Sequence, residues 1–160
     1  MSDPSETCWF DDIPIPGLLR HARTTYGAAM REALRAAECD DIPRNGLYVI
    51  GGLALGAAGV PLGRLAAELG VSKQAAGQLV DTLVLRGYLD RKLDPEDRRK
   101  VSITLSERGE MAAKVQAGAR ERVDAALAAQ VGARCVSQMR KALGALCAMA
   151  REHASHDHDD

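Results

Sequence analysis

The chain is poor in aromatic residues, in net charge and in reactive motifs. Aromatics make up 3% of 160 residues, one Trp, one Phe and three Tyr, which leaves Leu, Val and abundant Ala to fill the interior. Ala-rich packing suits helices lying close together. Acidic and basic residues nearly cancel, 22 against 21, for a formal charge of −1. No long-range field therefore draws the whole molecule to nucleic acid, and any basic binding face must be local. The four cysteines, Cys8, Cys39, Cys135 and Cys147, form no C-x-x-C pair or metal-finger spacing. The acidic start (Asp3, Glu6, Asp11, Asp12) is unlike a secretion signal, so a reducing cytoplasm is expected. A Gly-rich phosphate loop, a G-x-S-x-G elbow and a histidine spaced from a nucleophile are all missing, which argues against an enzyme and implies no cofactor.

One long uncharged run needs weighing. The 18 positions from Gly46 to Gly63 carry no formal charge, the length at which a membrane span is considered. They contain six glycines and Pro61, with no polybasic flank and no second apolar stretch. A buried helix followed by a turn is the expected reading, with no membrane partner.

What is present is globular. At about 150 residues per domain the length suits one compact unit, and 46% apolar with 27% charged residues is an ordinary balance for one. Residues 1–14 read as a polar arm. From Pro16, Leu18, Ala22, Tyr26, Ala29, Ala33 and Ala37 recur at three- and four-residue steps, predicting a long first helix to about Ala37. Pro43 is expected in the first turn of a second helix carrying Leu47, Val49, Ile50, Leu53 and Ala54, apolar nearly all round and hence central.

Pro61 opens a short third helix with Leu62, Leu65, Ala66 and Leu69 inward, and Gly70 can adopt the left-handed conformation that stops it. Ser72 then caps a fourth helix whose inner residues are Ala76, Leu79, Val80 and Leu83. Two short helices crossing at a glycine turn read either as a helix-turn-helix or as an ordinary helical hairpin. The next segment favours the first. After Arg86-Gly87-Tyr88, Leu89 to Leu93 and Val101 to Leu105 alternate apolar and polar residues as half-buried strands do, around the charged turn Asp94-Pro95-Glu96-Asp97-Arg98-Arg99-Lys100. A charged β-hairpin directly after a helix-turn-helix makes a winged helix.

The run Leu65-Ala66-Ala67-Glu68-Leu69-Gly70-Val71-Ser72-Lys73-Gln74, then Leu79-Val80 through Leu83 to Arg86-Gly87-Tyr88-Leu89, Asp94 to Arg99, and Leu105-Ser106-Glu107-Arg108-Gly109 resembles the MarR family of bacterial transcriptional regulators. The motif run covers about 50 residues, and with the flanking helices the resemblance spans about 15 to 150. The family usually has Thr where this chain has Ser106, and either hydroxyl can cap the next helix. The expected fold is mainly α with a small β-hairpin wing, a winged helix-turn-helix with long N- and C-terminal dimerisation helices. Its divisions are an arm at 1–14, N-terminal helices at 15–57, the winged helix-turn-helix at 58–105, C-terminal dimerisation helices at 106–150 and a disordered His/Asp tail at 151–160.

The expected function is sequence-specific binding of double-stranded DNA, as a homodimer on a pseudo-palindromic operator, repressing transcription. At about 100° per residue, Lys73, Gly77, Asp81, Gln74 and Gln78 share one arc of the fourth helix, roughly opposite the apolar residues. Gln can satisfy the N6 donor and N7 acceptor of adenine together, and Lys73 can meet a phosphate or guanine. Ser72 joins them at the helix start, and Gly77 would let the backbone approach the duplex. At the hairpin tip, Arg99 suits insertion into a narrow minor groove. The resemblance implies that Asp97 orients that arginine, while Arg98 and Lys100 touch phosphates. From Pro61 to Thr104, eight basic residues face six acidic ones, a local excess of +2.

Apolar stripes on the fifth helix (Met111, Val115, Ala119, Val123, Leu127) and the sixth (Val136, Met139, Leu143, Leu146, Ala150) exceed what a winged-helix core needs, which points to two-fold pairing. The resemblance implies a small, often aromatic or phenolic effector that releases DNA, with Arg20, His21, Tyr26 and Tyr48 as candidate lining. Cys8 is a weak candidate for redox sensing because no cation stands beside it. The tail histidines from His153 to His158 match metal-binding composition, but a solvated, disordered end is the expected reading, with no metal site. A winged helix used for protein contacts or non-specific nucleoid binding is the alternative function.

Overall fold

A computed structural model describes residues 9–56, 60–93 and 101–156. The elements in chain order are α1 (Ile15–Ala36), α2 (Gly46–Leu55), β1 (Val60–Pro61), α3 (Leu62–Leu69), α4 (Lys73–Leu85), β2 (Leu89–Leu93), β3 (Val101–Leu105), α5 (Glu107–Val131) and α6 (Ala133–His156). This is a mainly helical winged helix with a three-stranded antiparallel sheet in the order β1-β3-β2. Leu89 pairs with Leu105 and Arg91 with Ile103, while Val60 meets the other edge of Ile103.

The chain divides into two compact units, residues 1–120 and 121–160, with the division inside α5. The first unit holds the core. Leu47, Val49, Ile50 and Leu53 of α2 pack in one buried cluster with Leu34, Leu65, Val80, Leu83, Tyr88, Leu89, Ile103 and the small residues Ala112 and Ala113 of α5. The second unit comprises the end of α5 and α6, and an Arg140 to Asp124 ion pair at 2.6 Å links the two helices there. No helix among the described residues is long and apolar enough to cross a membrane.

Several local expectations shift. Pro43 precedes α2 instead of opening it; its carbonyl accepts from Gly46 N–H at 2.8 Å, a turn that places the helix start three residues later. Ala54 is exposed at the far end of that helix. In α1 the buried residues are Gly27, Met30 and Leu34, while Ala22 is exposed and Tyr26, Ala29 and Ala33 are half-buried. The longer side chains of Met30 and Leu34 reach the core, and the alanines flank them. β1 adds a third strand to the anticipated hairpin, and α6 continues to His156 where the sequence reading stops at 150.

Candidate nucleic-acid interface

α4 starts at a side-chain cap. Ser72 has extended backbone, and its Oγ accepts from Ala75 N–H at 3.1 Å, satisfying one of the amides that a helix start leaves unpaired. The preceding turn closes because Gly70 sits at φ 65°, where a Cβ would be strained. From that start the helix separates its residues by side. Ala76, Val80 and Leu83 are fully buried, while Ser72, Lys73, Gln74, Gln78 and Asp81 are exposed. Gly77 lies between, half-buried, and a Cβ there would stand 3.8 Å from Leu62 Cδ2.

Asp81 is ion-paired with Arg91 of β2, so the root of the hairpin is tied to the exposed side of α4. Asp97, Arg98, Arg99 and Lys100, the expected tip residues, lie outside the described residues, as do Cys8 and His158.

Behind α4 is a clasp that sequence reasoning missed. Tyr88, fully buried, donates its hydroxyl hydrogen to Asp41 Oδ1 at 2.5 Å. Arg108 of α5 stacks on the same ring, 4.2 Å from its centroid, donates to Asp41 Oδ1 at 3.2 Å and reaches the Arg86 carbonyl at 2.5 Å. The Arg86 guanidinium donates to the Asp41 backbone carbonyl. Ser106 caps α5, as its place in the motif suggested: its Oγ accepts from Gly109 N–H at 3.0 Å and donates to the Gly87 carbonyl at 2.5 Å. Gly109 has no alternative, because a Cβ there would stand 2.0 Å from the Tyr88 carbonyl oxygen. The end of α4, the start of α5 and the loop before α2 are thus fixed as one piece. Burial foremost, and then the hydrogen bonds to Asp41 and Cys39, push the Tyr88 phenol well above its ordinary value.

The expected effector residues are spread out. Arg20 and His21 are exposed, and Tyr26 and Tyr48 are half-buried. Tyr48 carries the Arg23 guanidinium 4.0 Å above its ring. None of the four lines a cleft of about 550 Å³ between the end of α2, β3 and α5. Its apolar walls are Leu53, Leu55, Ile103, Leu105, Ala113 and Ala117, and its polar lining is Lys92, Thr104, Glu110, Lys114 and Arg120. The α5 members recur at three- and four-residue steps, so one side of that helix forms a wall. Thr104 Oγ1 is buried there without a hydrogen-bond partner. Cys39, read from sequence as a small core or surface residue, is buried, and Cys135 and Cys147 are exposed.

Residues 41–100, from Asp41 of the clasp to Lys100 of the hairpin, match the family model described as MarR family. Over this stretch the chain is similar to the MarR family. Solved structures share the fold across nearly the whole length. A transcriptional regulator from Thermotoga maritima is 24% identical, with 89% of this chain and 97% of that chain covered at a TM-score of 0.58. FabT from Streptococcus pneumoniae, solved in complex with DNA, is 19% identical, with 86% and 96% covered at 0.71. Wild-type MarR from E. coli is 21% identical, with 84% and 96% covered at 0.63. No curated protein matches the chain. The matched segment contains α3, α4 and β2, so the family match and the exposed polar side of α4 fall on the same residues.

Proposed function

We propose that this chain is a MarR-family, sequence-specific DNA-binding transcriptional regulator, a repressor that binds a pseudo-palindromic operator as a homodimer and is released by a small ligand. One observation carries the reading: Lys73, Gln74 and Gln78 are presented to solvent on a helix whose opposite side is sealed into the core. A polar, uncommitted helix surface of this kind fits the major groove, where Gln can read adenine and Lys can meet guanine or phosphate. Arg99, supported by Asp97, would enter the minor groove while Arg98 and Lys100 contact phosphates. Ser72 and Gly77 let the backbone at the helix start come close. The FabT structure holds DNA, which supports the same use of the fold here.

The homodimer is supported by apolar surface. Ile15 and Leu19 on α1 and Met139, Leu146 and Met149 on α6 are large and exposed, and none of the described side chains of α6 is buried. Surface of that kind seeks a partner, and two-fold pairing would set two reading helices about one turn of duplex apart. The 550 Å³ cleft is of effector size. It adjoins both β3 and α5, so a ligand that prefers one disposition of these elements would shift the population of DNA-competent molecules.

Fluorescence anisotropy with the chain's own upstream intergenic DNA tests this reading. Specific duplex should bind at least a hundredfold tighter than random duplex, with affinity falling steeply between about 50 and 200 mM salt. Equal affinity for both duplexes would favour a non-specific nucleoid or protein-interaction module.

A further inference from the structure

The cleft between α2, β3 and α5 has a lining that defines the chemistry of its occupant. Three cations, Lys92, Lys114 and Arg120, face one acid, Glu110. Among the described residues none of these cations is in an ion pair. Arg120 has only the Met30 sulfur, at 3.9 Å, as a side-chain partner. Beside it Gln116 is fully buried with both amide atoms unpartnered, and both side chains press on Gly51, whose Cβ position lies 3.2 Å from Gln116 Oε1 and 3.3 Å from an Arg120 nitrogen. Thr104 of β3, which also lines the cleft, adds a buried hydroxyl without a hydrogen-bond partner. Buried polar groups left without partners are uncommon in folded proteins. A buried hydroxyl without a partner, Thr104, in a lining that also carries three unpaired cations marks a place completed by an anion.

The apolar part of the lining is equally specific. Every apolar side chain in it is aliphatic, and no aromatic ring is present to stack on a planar ligand.

We propose that the cleft takes an aliphatic carboxylate of medium chain length, its charge met by Arg120 and Lys114 and its chain laid along Leu55 and Ala117. The guanidinium can hold the carboxylate through two parallel hydrogen bonds, with the ammonium as a second point charge and the Thr104 hydroxyl as a further donor. This rests on the effector reading of the cleft and departs from the aromatic or phenolic effector that the family resemblance implies.

Isothermal titration calorimetry on the full chain without DNA separates the two readings. Hexanoate, octanoate and decanoate, below their micellar concentrations, should bind with affinity rising roughly tenfold for each pair of added methylenes. Octanol and octylamine should bind at least tenfold more weakly than octanoate, and so should salicylate. Arg120→Gln and Lys114→Gln should each weaken octanoate at least tenfold, with thermal melts confirming that the variants fold. Ala117→Met, which leaves the charges in place and narrows the cleft, should weaken decanoate more than hexanoate. Salicylate binding tighter than octanoate, with loss on Arg120→Gln, would overturn the aliphatic assignment and leave the cleft as effector site. Octanol binding as well as octanoate, or no response to any cleft variant, would overturn the site itself, whatever DNA binding shows.

Discussion

The Tyr88 hydroxyl meets Asp41 Oδ1 at 2.5 Å across 47 positions of sequence, and the Arg108 guanidinium lies over the ring and donates to the same oxygen. The phenol is buried and its neutral form is favoured. In the unfolded chain it would ionise near its ordinary value of about 10; in the folded chain it holds its proton beyond that. The contribution to stability is therefore complete below about pH 10 and is lost as pH rises above it. Urea midpoints measured from pH 8 to 11 should fall more steeply above pH 10 in the native chain than in Tyr88→Phe. At neutral pH that variant should cost about 1–3 kcal/mol, because Asp41 loses a hydrogen bond in a partly buried setting. Parallel curves for the two proteins would contradict the assignment.

Two glycines predict opposite outcomes. Gly109→Ala places a methyl 2.0 Å from the Tyr88 carbonyl oxygen and should cost about 3 kcal/mol by overpacking. At Gly77 a methyl would make ordinary contact with Leu62, at 3.8 Å. Gly77→Ala should stabilise α4 by about 0.5–1 kcal/mol. Thermal melts measure both. If the backbone at Gly77 approaches the duplex, the stabler variant binds operator more weakly, which anisotropy reports.

Gln74→Ala should change which operators are preferred, losing about 1–3 kcal/mol of discrimination at one base pair. Lys73→Ala should weaken all duplexes alike and lower the salt slope by about one. Arg99→Ala should reduce affinity most for sites with A·T-rich flanks, whose narrow minor grooves attract a guanidinium. Selection from a randomised operator library separates these signatures; uniform loss from Gln74→Ala would remove it from base reading.

Leu146→Glu places a charge on exposed apolar surface of α6. Sedimentation equilibrium should show the native chain as a dimer and this variant shifted toward monomer by at least tenfold in dissociation constant, with helicity retained. An unchanged dimer would move the pairing surface elsewhere.

The sequence is most informative where structure is local. Ser72, Gly70 and the alternating strands are placed by capping, backbone freedom and periodicity, each acting within a few residues, and β2 and β3 occupy the anticipated Leu89–Leu93 and Val101–Leu105. The start of α2 was hidden because Pro43 fits a helix's first turn and the turn before it equally well. β1 was hidden because two residues carry no period; Val60 and Pro61 become a strand only through β3. The clasp joins Asp41, Tyr88 and Arg108 over 47 and 67 positions, and nothing in the spacing announces such a meeting. The cleft is still less visible: Thr104 and Arg120 read as ordinary strand and helix residues until the fold brings them to one cleft.

Around α4, the residues sealed into the core and the glutamines left open to solvent are different residues. Ala76, Val80 and Leu83 are committed to the interior, whereas Gln74 and Gln78 are committed to nothing inside the chain. A lineage carrying this scaffold is therefore free to acquire new target sites through the outward positions alone, with folding left untouched, and an engineer can exchange those positions on the same terms.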